Sequence, residues 1–421
     1  MKKRIFIISI SIIVLFSLFL IIKYFLPLNY QVNNGIDSNE KNFTSNLKLN
    51  SKASLIMNLD TNQIIYENNI SEAFPVYSCS KIVFLATLEE EMKKKNISFN
   101  DKVKISSTIT KINKNGNFAQ SGIKANEVYT IKELYYCVMM ASGNDATIAL
   151  AEYVFGSHAN AVIKMNEFAK EHHLNNASFV STSGLDGKDL TEAGLKTNSG
   201  SNLLSIEDTI KVIKIIEEKY PEIIEAGSKD SVLIGQYNKK KLWVNNVNHM
   251  IEQFSNIKGV YGLKTGSNMD EYSMSIINLY KNKYNQHFLI VSYANKNYQT
   301  MHDDSVKMIN YLNTLSVINI KDNLNLKINF GYNKNKVEYM LNKDLLVYYP
   351  KNYQLSYYLD HKFNHLNKIY NVKKGGNLGK INFNNIIFYQ DDLPNVIITN
   401  NVIEKYNYQK LLELILDIIR K

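Results

Sequence analysis

Two periods of hydrophobic and polar residues alternate along this chain, and each change of period marks a predicted change of element. Residues 54–58 and 63–67 have the two-residue period of strands, and the polar triplet between them predicts a hairpin. From residue 75 to about residue 224 the pattern is largely helical, with the capping box Thr130-Ile131-Lys132-Glu133 ahead of one apolar helix. Strand-like apolar segments return between residues 259 and 294. Strands, helices and strands within one unit, residues 51–315, predict an α+β fold with an antiparallel sheet backed by helices.

The C-terminal part of the chain has a different pattern. Residues 316–402 carry short alternating segments, of which 324–330 is one, and predict a separate small all-β domain. Residues 403–421 predict an amphipathic helix whose polar face holds Gln409, Glu413, Asp417 and Arg420. Two interpretations of this helix stay open because its charges nearly cancel: it lies on a membrane as a second anchor, or it docks onto the β domain.

The first 30 residues predict a cytoplasmic tip and a transmembrane anchor. Residues 5–22 carry no charge, and as a helix they extend about 27 Å, close to the ~30 Å hydrocarbon core of a bilayer. Basic residues precede the segment, so the positive-inside rule places the N-terminus in the cytoplasm and the rest of the chain outside. A cleaved signal peptide is the alternative, but residues 20–30 offer no small-residue cleavage site. Residues 31–50, polar and rich in Asn, predict a flexible tether.

Composition and charge exclude several functions. The 421 residues carry a formal net charge of +10, which at first suggests a nucleic-acid partner. Four of the basic residues flank the predicted anchor, and the remaining charge of about +6 is scattered, so no nucleic-acid partner is expected. Cys79 and Cys137 are too few for a disulfide framework or a four-cysteine zinc site, and core packing is their expected role. His361 and His365 lack acidic or cysteine partners, so no metal is expected.

Three short motifs carry the candidate chemistry: Ser78-Cys79-Ser80-Lys81, then Ser142-Gly143-Asn144, then Lys264-Thr265-Gly266. Each alone is weak evidence, because it is also compatible with ordinary polar surface. A Ser-x-x-Lys string also begins at Ser38, Ser45, Ser121 and Ser255. Context distinguishes the three motifs: the first begins a predicted helix, the second separates two helical runs, and the third occurs once, on a predicted strand.

The residue types in these motifs suit acyl transfer. Ser78 and Lys81 are three residues apart, so they share one face of a helix, with the positive end of its dipole at Ser78. A lysine can activate a serine as a base when burial and a neighbouring cation lower its pKa. Lys264 is a candidate for that cation, and also for a charge that docks a substrate carboxylate. Ser142 and Asn144 suit proton transfer and binding of an amide carbonyl, and an N-cap of the second helix is compatible with that role.

In order and context these motifs resemble the penicillin-binding protein and serine β-lactamase superfamily, and more closely the low-molecular-mass D-alanyl-D-alanine carboxypeptidases. Longer strings such as GIKANEVYTIKELYYCVMMASGNDATIALAEYVFGS and GVYGLKTGSN carry the same resemblance. It covers residues 50–315 well and the β domain to about residue 400 loosely. The resemblance implies a serine β-lactamase/transpeptidase-like catalytic domain, held by its anchor at the outer face of a bacterial cell membrane. Its implied substrate is the peptidoglycan pentapeptide stem, β-lactam antibiotics are its implied covalent inhibitors, and no cofactor is implied.

The resemblance also implies catalytic roles. Ser78 is expected to be the acylated nucleophile and Lys81 its general base. Ser142 is expected to relay the proton to the leaving amine. The backbone N–H groups of Ser78 and Ser267 are expected to form the oxyanion hole, at roughly 3 kcal/mol per donor.

Substrate-binding roles follow from the same resemblance. Asn144 is expected to bind the peptide carbonyl of the substrate, and Lys264 and Thr265 to hold its terminal carboxylate. Three features depart from the family pattern. Cys79 and Ser80 replace small Thr or Ala residues inside the first motif, Ser181 stands where an Asn is usual, and the turn after Ser267 is shorter.

Two alternatives belong to other functional classes. Residues 171–175, Glu-His-His-Leu-Asn, match the string whose Glu activates the deacylating water in class A β-lactamases, so Glu171 makes a β-lactamase the second enzyme hypothesis. The middle motif lacks the Asp that is usual in β-lactamases, and the residues after Asn175 follow the carboxypeptidase pattern. The third hypothesis is a non-hydrolytic penicillin-binding or wall-binding protein, which is acylated and releases no product.

Overall fold

The computed structural model describes residues 47–403, apart from residues 114–117, 196, 256, 324–328, 331–334, 337, 354, 356, 361–370, 373, 376, 384–385, 390–392, 394 and 400–401. Contacts divide the chain into two units. The larger unit consists of residues 44–316 and 387–390, and the smaller one includes residues 317–386 and the chain from 391 onward.

The elements follow one another in chain order. The strands are β1 Ala53–Asn58, β2 Gln63–Asn68, β3 Phe74–Pro75, β4 Lys102–Lys104, β5 Val128–Thr130, β6 Leu203–Leu204, β7 Ser231–Ile234, β8 Leu242–Asn245, β9 Val260–Asn268, β10 Ser273–Lys281, β11 His287–Asn295, β12 Ser316–Asn319, β13 Asn329–Phe330, β14 Asn335–Lys336, β15 Tyr339–Leu341, β16 Leu346–Tyr349, β17 Tyr357–Asp360, β18 Asn371–Val372, β19 Asn377–Phe383, β20 Ile387–Phe388, β21 Asn395–Ile398 and β22 Val402–Ile403. The helices are α1 Lys81–Lys95, α2 Ile109–Asn113, α3 Ile131–Met139, α4 Asn144–Phe155, α5 His158–Glu171, α6 Gly187–Glu192, α7 Ile206–Lys219, α8 Glu222–Ser228, α9 Glu252–Ser255, α10 Tyr298–Thr314 and α11 Ile320–Asn323.

The larger unit is built on a six-stranded antiparallel sheet with the order β20-β2-β1-β11-β10-β9. Strands β1 and β2 form the predicted hairpin, and β9 to β11 are the three apolar segments predicted between residues 259 and 294. The predicted α+β fold is therefore confirmed. Strand β9 lies at one edge of the sheet, and its register pairs Lys264 with Ile277 and Thr265 with Ile276.

Helices cover both faces of this sheet. Every residue of β1 is buried. Leu55 and Met57 belong to the hydrophobic cluster of the helical region, whereas Ile56 faces the opposite side, because side chains alternate along a strand. On that opposite side α10 packs against β10 and β11. Helix α1 is buried at every position from 81 to 89, which makes it the central helix of the unit.

The smaller unit contains a four-stranded antiparallel sheet with the order β15-β21-β19-β17. Two-stranded pairs accompany it: β12 with β16, β13 with β14, and β18 with β22. Leu341, Val347, Ile381 and Val396 are fully buried in this unit. These residues, which lie on strands, contribute an apolar core to the smaller unit, and Ile320 of helix α11 is also fully buried.

Three expectations need correction. The predicted helical stretch from 75 to 224 is interrupted by strands β4 and β5 and by an irregular segment between α5 and α6. Ser78 does not begin an α-helix. It lies in a 3-10 turn, and α1 begins at Lys81, because the left-handed conformation of Tyr77 prevents a regular helix there. Ile403, expected to begin the C-terminal helix, lies in strand β22.

Two predicted membrane elements lie outside the described residues: the anchor at residues 5–22 and the helix over residues 404–421. His361 and His365 also lie outside them. In the part of the chain that the structure describes, no helix combines the length and the apolar character that a membrane span requires. The anchor therefore stays a prediction.

Candidate active site

Ser78 lies in the 3-10 turn Tyr77–Ser80, between β3 and α1. Tyr77 has a φ of +48°, a left-handed conformation that a bulky residue keeps only where its surroundings hold it. Its hydroxyl donates a hydrogen bond to Glu271 Oε2 at 2.6 Å, and the Cys79 N–H donates to the Val76 carbonyl at 2.9 Å. Both neighbours of Ser78 are buried while Ser78 itself is partly exposed. The turn thus presents the Ser78 hydroxyl to a substrate.

Two glycines allow neighbouring segments to approach this turn closely. A Cβ on Gly184 would lie 2.1 Å from the Tyr77 carbonyl oxygen, and a Cβ on Gly266 would lie 2.3 Å from the Val76 carbonyl oxygen. Only glycine fits at such distances. The same Cβ position on Gly266 is 3.1 Å from the backbone nitrogen of Ser78. The backbone of β9, which continues into Ser267, therefore lies beside Ser78.

The Lys81 side chain is fully buried and has three polar contacts. Its Nζ lies 2.8 Å from Ser78 Oγ, 2.8 Å from Asn144 Oδ1 and 2.5 Å from the Ser183 carbonyl oxygen. The two carbonyl-type oxygens can only accept, so they occupy two N–H bonds of the lysine. Burial and then the positive charge of Lys264 lower the pKa of Lys81 well below its usual range. In the resulting neutral amine, the remaining position is a lone pair that faces the Ser78 hydroxyl.

Lys264 is the second buried lysine of the site, with 1% of its surface exposed. Its Nζ donates to Ser142 Oγ at 2.9 Å and to the Thr265 carbonyl oxygen at 2.9 Å. Burial lowers the pKa of Lys264 to about 8. For Lys81 the charge of Lys264 adds to the burial that already lowers its pKa, so Lys81 is the lysine that gives up its proton more readily. The site is therefore suited to hold a cationic Lys264 beside a neutral Lys81.

Ser142 and Asn144 lie between helices α3 and α4. Ser142 has a φ of +56°, and the Asn144 N–H donates to the Ala119 carbonyl at 2.9 Å, which fixes the segment. Since Ser142 Oγ accepts a hydrogen bond from Lys264, its own hydroxyl hydrogen remains available for donation. Helix α4 begins at Asn144, as one interpretation expected, but its N-cap residue is Gly143 and no side chain caps it, so the capping role is wrong.

Asn202 is a site residue that the sequence analysis missed. It is fully buried, and its Nδ2 donates to Ser80 Oγ at 2.7 Å and to the Ser181 carbonyl at 2.8 Å. Its Oδ1 accepts from the N–H groups of Val180 and Ser181, and its backbone carbonyl accepts from Val76. Asn202 therefore joins the Ser78 turn to the segment that holds Lys81. No local pattern signals it, because a single Asn beside an apolar dipeptide is common.

Ser181, which stands where the family usually has Asn, fastens the same segment. Its Oγ accepts the N–H groups of Ser183 and Gly184, each at 3.1 Å. These bonds hold the Ser183 carbonyl in the position where it contacts Lys81. The departure in sequence therefore keeps a hydrogen-bonding side chain at this point.

The other candidates lie outside the chemistry of the cleft. Cys79 and Cys137 are buried free thiols, and burial raises the pKa of Cys79 to about 12, so Cys79 is not a thiolate at neutral pH. Glu171 lines a small charged cavity with Glu90, which is nine residues along α1 from Lys81. That separation is about 14 Å along the helix axis, too far for Glu171 to activate a water at Ser78. No group of three potential metal ligands occurs among the described residues.

The arrangement joins two chemical functions in one cleft. A neutral lysine faces a serine hydroxyl, and a cationic lysine with a second serine lies beside them. Strand β9 lies at the edge of the sheet next to the nucleophile, and extended peptides bind to such edges. The geometry suits acyl transfer from an extended peptide to Ser78.

Comparisons with known proteins agree with this geometry. The family model of peptidase S11, D-alanyl-D-alanine carboxypeptidase, matches residues 40–277, which is more than half of the chain. The carboxypeptidase DacF of Bacillus subtilis (strain 168) is 30% identical over 223 residues, which cover 53% of this chain and 52% of that protein. DacC of Escherichia coli (strain K12) is 29% identical over 143 residues, 33% of this chain and 35% of that protein. The chain thus spans about half the length of the first of these relatives and about a third of the second.

Solved structures share the fold. A peptidoglycan synthesis regulatory factor (PBP3) from Streptococcus pneumoniae superposes with a TM-score of 0.67 at 19% identity, over 84% of this chain and 100% of that chain. Penicillin binding protein 5 from Haemophilus influenzae superposes with a TM-score of 0.61 at 20% identity, over 86% and 100%. At these identities the likeness establishes the fold, a penicillin-binding-protein-like α+β architecture.

Proposed function

We propose, from the premise that this chain belongs to the D-alanyl-D-alanine carboxypeptidase family (peptidase S11), that it removes the terminal D-alanine from peptidoglycan stem peptides. One observation carries the proposal. Two of the three contacts of Lys81 Nζ are with oxygens that only accept hydrogen bonds, and these contacts occupy both N–H bonds of the neutral amine. Its lone pair therefore points at the hydroxyl of Ser78. A serine with a neutral lysine base is the nucleophile that peptide acyl transfer needs.

Acylation follows from these contacts. Lys81 takes the proton from Ser78 Oγ, which attacks the carbonyl carbon of the penultimate D-alanine. The N–H groups of Ser78 and Ser267 stabilise the oxyanion that forms. As the intermediate collapses, the C–N bond breaks, and the leaving amine takes up the proton that Lys81 took from Ser78. We assign the relay of this proton to the Ser142 hydroxyl, which Lys264 holds in the cleft. Water then attacks the acyl-enzyme, with Lys81 again as the base, and releases the shortened peptide.

Substrate binding uses the remaining motif residues. Asn144 Oδ1 accepts a hydrogen bond from Lys81, and Nδ2 of the same amide is the donor for the peptide carbonyl of the substrate. The cationic Lys264 and the Thr265 hydroxyl attract the terminal carboxylate, which is the group that distinguishes a carboxypeptidase substrate from an internal peptide. The same cleft accepts a β-lactam as a substrate analogue that acylates Ser78.

Release of free D-alanine from a diacetyl-L-Lys-D-Ala-D-Ala peptide tests the proposal. The full chain is expected to release one D-alanine per peptide and to form a long-lived adduct with penicillin. Rapid turnover of penicillin would instead indicate a β-lactamase, an activity that the position of Glu171 does not favour. Adduct formation without release of D-alanine from the peptide would indicate a penicillin-binding receptor.

We further propose that the chain is membrane-anchored, with its catalytic unit outside the cytoplasm. The uncharged segment at residues 5–22 and the basic residues before it support this location. Mass spectrometry of the mature protein in membranes is expected to find an N-terminus at or near Met1. A new N-terminus between residues 25 and 50 would contradict a retained anchor and indicate a cleaved signal peptide.

Asn202→Leu is expected to slow acylation by penicillin at least tenfold, because it frees the Lys81-holding segment from the Ser78 turn. It also leaves several buried groups unpaired, at a cost of about 1–3 kcal/mol each in the free energy of unfolding. Stopped-flow acylation and thermal unfolding measure the two effects separately.

Asn166→Leu is the matched control. The Asn166 amide also joins backbone groups, donating to Val162 and Phe179 and accepting from Phe179, but it contacts no motif residue. A similar loss of stability with nearly normal acylation is expected. Equal slowing in both variants would mean that Asn202 acts only through general stability.

A further inference from the structure

A cavity of about 560 Å³ opens in the larger unit beside Thr265. Its volume falls in the roughly 300–1,000 Å³ range of small-molecule sites. Met250, Ile276 and Met301 form its apolar floor and are 2%, 0% and 5% exposed. The exposed Val247 also lines it, at the mouth. The proposed reaction uses only the Thr265 hydroxyl of this cavity.

The cavity begins where the substrate's last residue binds. Side chains alternate along a strand, so Lys264, which faces Ser142, and Thr265 lie on opposite faces of β9. Ile276 pairs with Thr265 in the sheet, and the first turns of α10 supply the far wall through Met301. A terminal residue whose carboxylate is held by the Thr265 hydroxyl therefore has its side chain next to this space, whereas Lys264 acts on that carboxylate through its charge from the other face of the edge strand.

The chemistry of the lining indicates what this side chain is. The methyl group of D-alanine fills only a small part of the cavity. The described residues that line it include no Asp, Glu, Lys or Arg. Its polar members are Asn248, His249, Thr265, Tyr298, Gln299 and His302. An apolar floor with flexible Met side chains accommodates unbranched apolar groups well.

We infer that the enzyme accepts, and prefers, stem peptides whose terminal D-residue carries a long, uncharged, apolar side chain. This inference rests on the proposed carboxypeptidase activity and names the specificity of the same site. D-methionine is the representative leaving residue. In the bound peptide the D-methionine side chain occupies the cavity. When the C–N bond breaks, D-methionine leaves and the penultimate D-alanine stays attached to Ser78 as the acyl group.

The experiment compares diacetyl-L-Lys-D-Ala-X peptides in which X is D-alanine, D-methionine or D-lysine, with release of X followed by chromatography. We expect kcat/KM for D-methionine to exceed that for D-alanine by about tenfold, since a fitted apolar pocket discriminates single methylenes by roughly 10–200-fold. D-lysine is expected to be the poorest of the three. Release of D-alanine with slower release of D-methionine overturns the inference and leaves the proposed function intact. Release of no residue from any peptide contradicts the proposed function itself.

A pair of variants localises the preference. Gln299, exposed on the first turn of α10, lines the cavity, so Gln299→Trp partly fills it. The ratio of kcat/KM for D-methionine over D-alanine is expected to fall at least fivefold. Asn310→Trp, at an exposed position three turns further along α10, is the control and is expected to leave the ratio unchanged. An unchanged ratio in both variants overturns the assignment to this cavity.

Discussion

In the Ser78→Ala variant we expect no covalent labelling by a fluorescent penicillin and a fall in kcat of roughly 10⁴- to 10⁶-fold. The reason is the set of contacts around the base: in the part of the chain that the structure describes, Lys81 Nζ meets the Ser78 hydroxyl and two carbonyl-type oxygens that carry no proton. Ser78 is also partly exposed while Lys81 is fully buried, so a substrate that enters the cleft meets the Ser78 hydroxyl and not the lysine. Gel fluorescence and release of D-alanine measure the two effects.

Ser255→Ala is the control for this variant. Ser255 also begins a Ser-x-x-Lys string in the sequence, but it lies in α9, where its hydroxyl donates to the Met250 carbonyl at 2.9 Å. Normal labelling is expected there. Labelling that persists in Ser78→Ala and maps by mass spectrometry to another serine would contradict the assignment of the nucleophile. Circular dichroism of both variants checks that the fold is retained.

The three motifs were recognisable in the sequence because their chemistry depends on short, fixed spacings. Ser78 and Lys81 lie within one turn, so the contact between them is local. The contact of Lys264 with Ser142 spans 122 positions and was not predicted from the sequence, which placed Lys264 only near Lys81 and the substrate carboxylate. The left-handed backbone conformation of Tyr77 could not be predicted from the sequence. The surroundings of Tyr77 include Gly184, which lies against its carbonyl, and Glu271, which accepts from its hydroxyl, and both residues are distant in the chain.

Asn202 and the cavity beside Thr265 were unpredictable for a related reason. Asn202 acts through backbone groups of Val76, Val180 and Ser181, and backbone groups leave no trace in a sequence. The cavity is assembled from three separate segments around residues 247–250, 265–276 and 298–302. Such sites depend on how elements pack, whereas the α+β fold depends on patterns within each element.

Lys264→Gln is expected to lower kcat/KM on a D-Ala-D-Ala peptide about ten- to a hundredfold at neutral pH. The variant loses a charge-assisted contact with the terminal carboxylate, worth roughly 1.5–3 kcal/mol, and about 1.4 kcal/mol corresponds to a factor of ten. Lys258→Gln, an exposed lysine just before β9, is the control and is expected to be neutral. A matched peptide with a C-terminal amide separates carboxylate docking from other effects. The wild type should prefer the acid strongly, and Lys264→Gln should lose most of that preference.

The pH profile gives a second, independent signature of Lys264. Activity requires neutral Lys81 and cationic Lys264, so the rising limb follows the lowered pKa of Lys81 and the falling limb follows that of Lys264, about 8. Removing the charge at position 264 raises the pKa of Lys81, because a positive neighbour had disfavoured its protonated form. In Lys264→Gln the rising limb therefore moves to higher pH and the falling limb near pH 8 disappears. Equal slowing of the acid and the amide, with a shifted rising limb, would mean that Lys264 serves Lys81 alone. No slowing of either substrate would contradict the position of β9 beside Ser78.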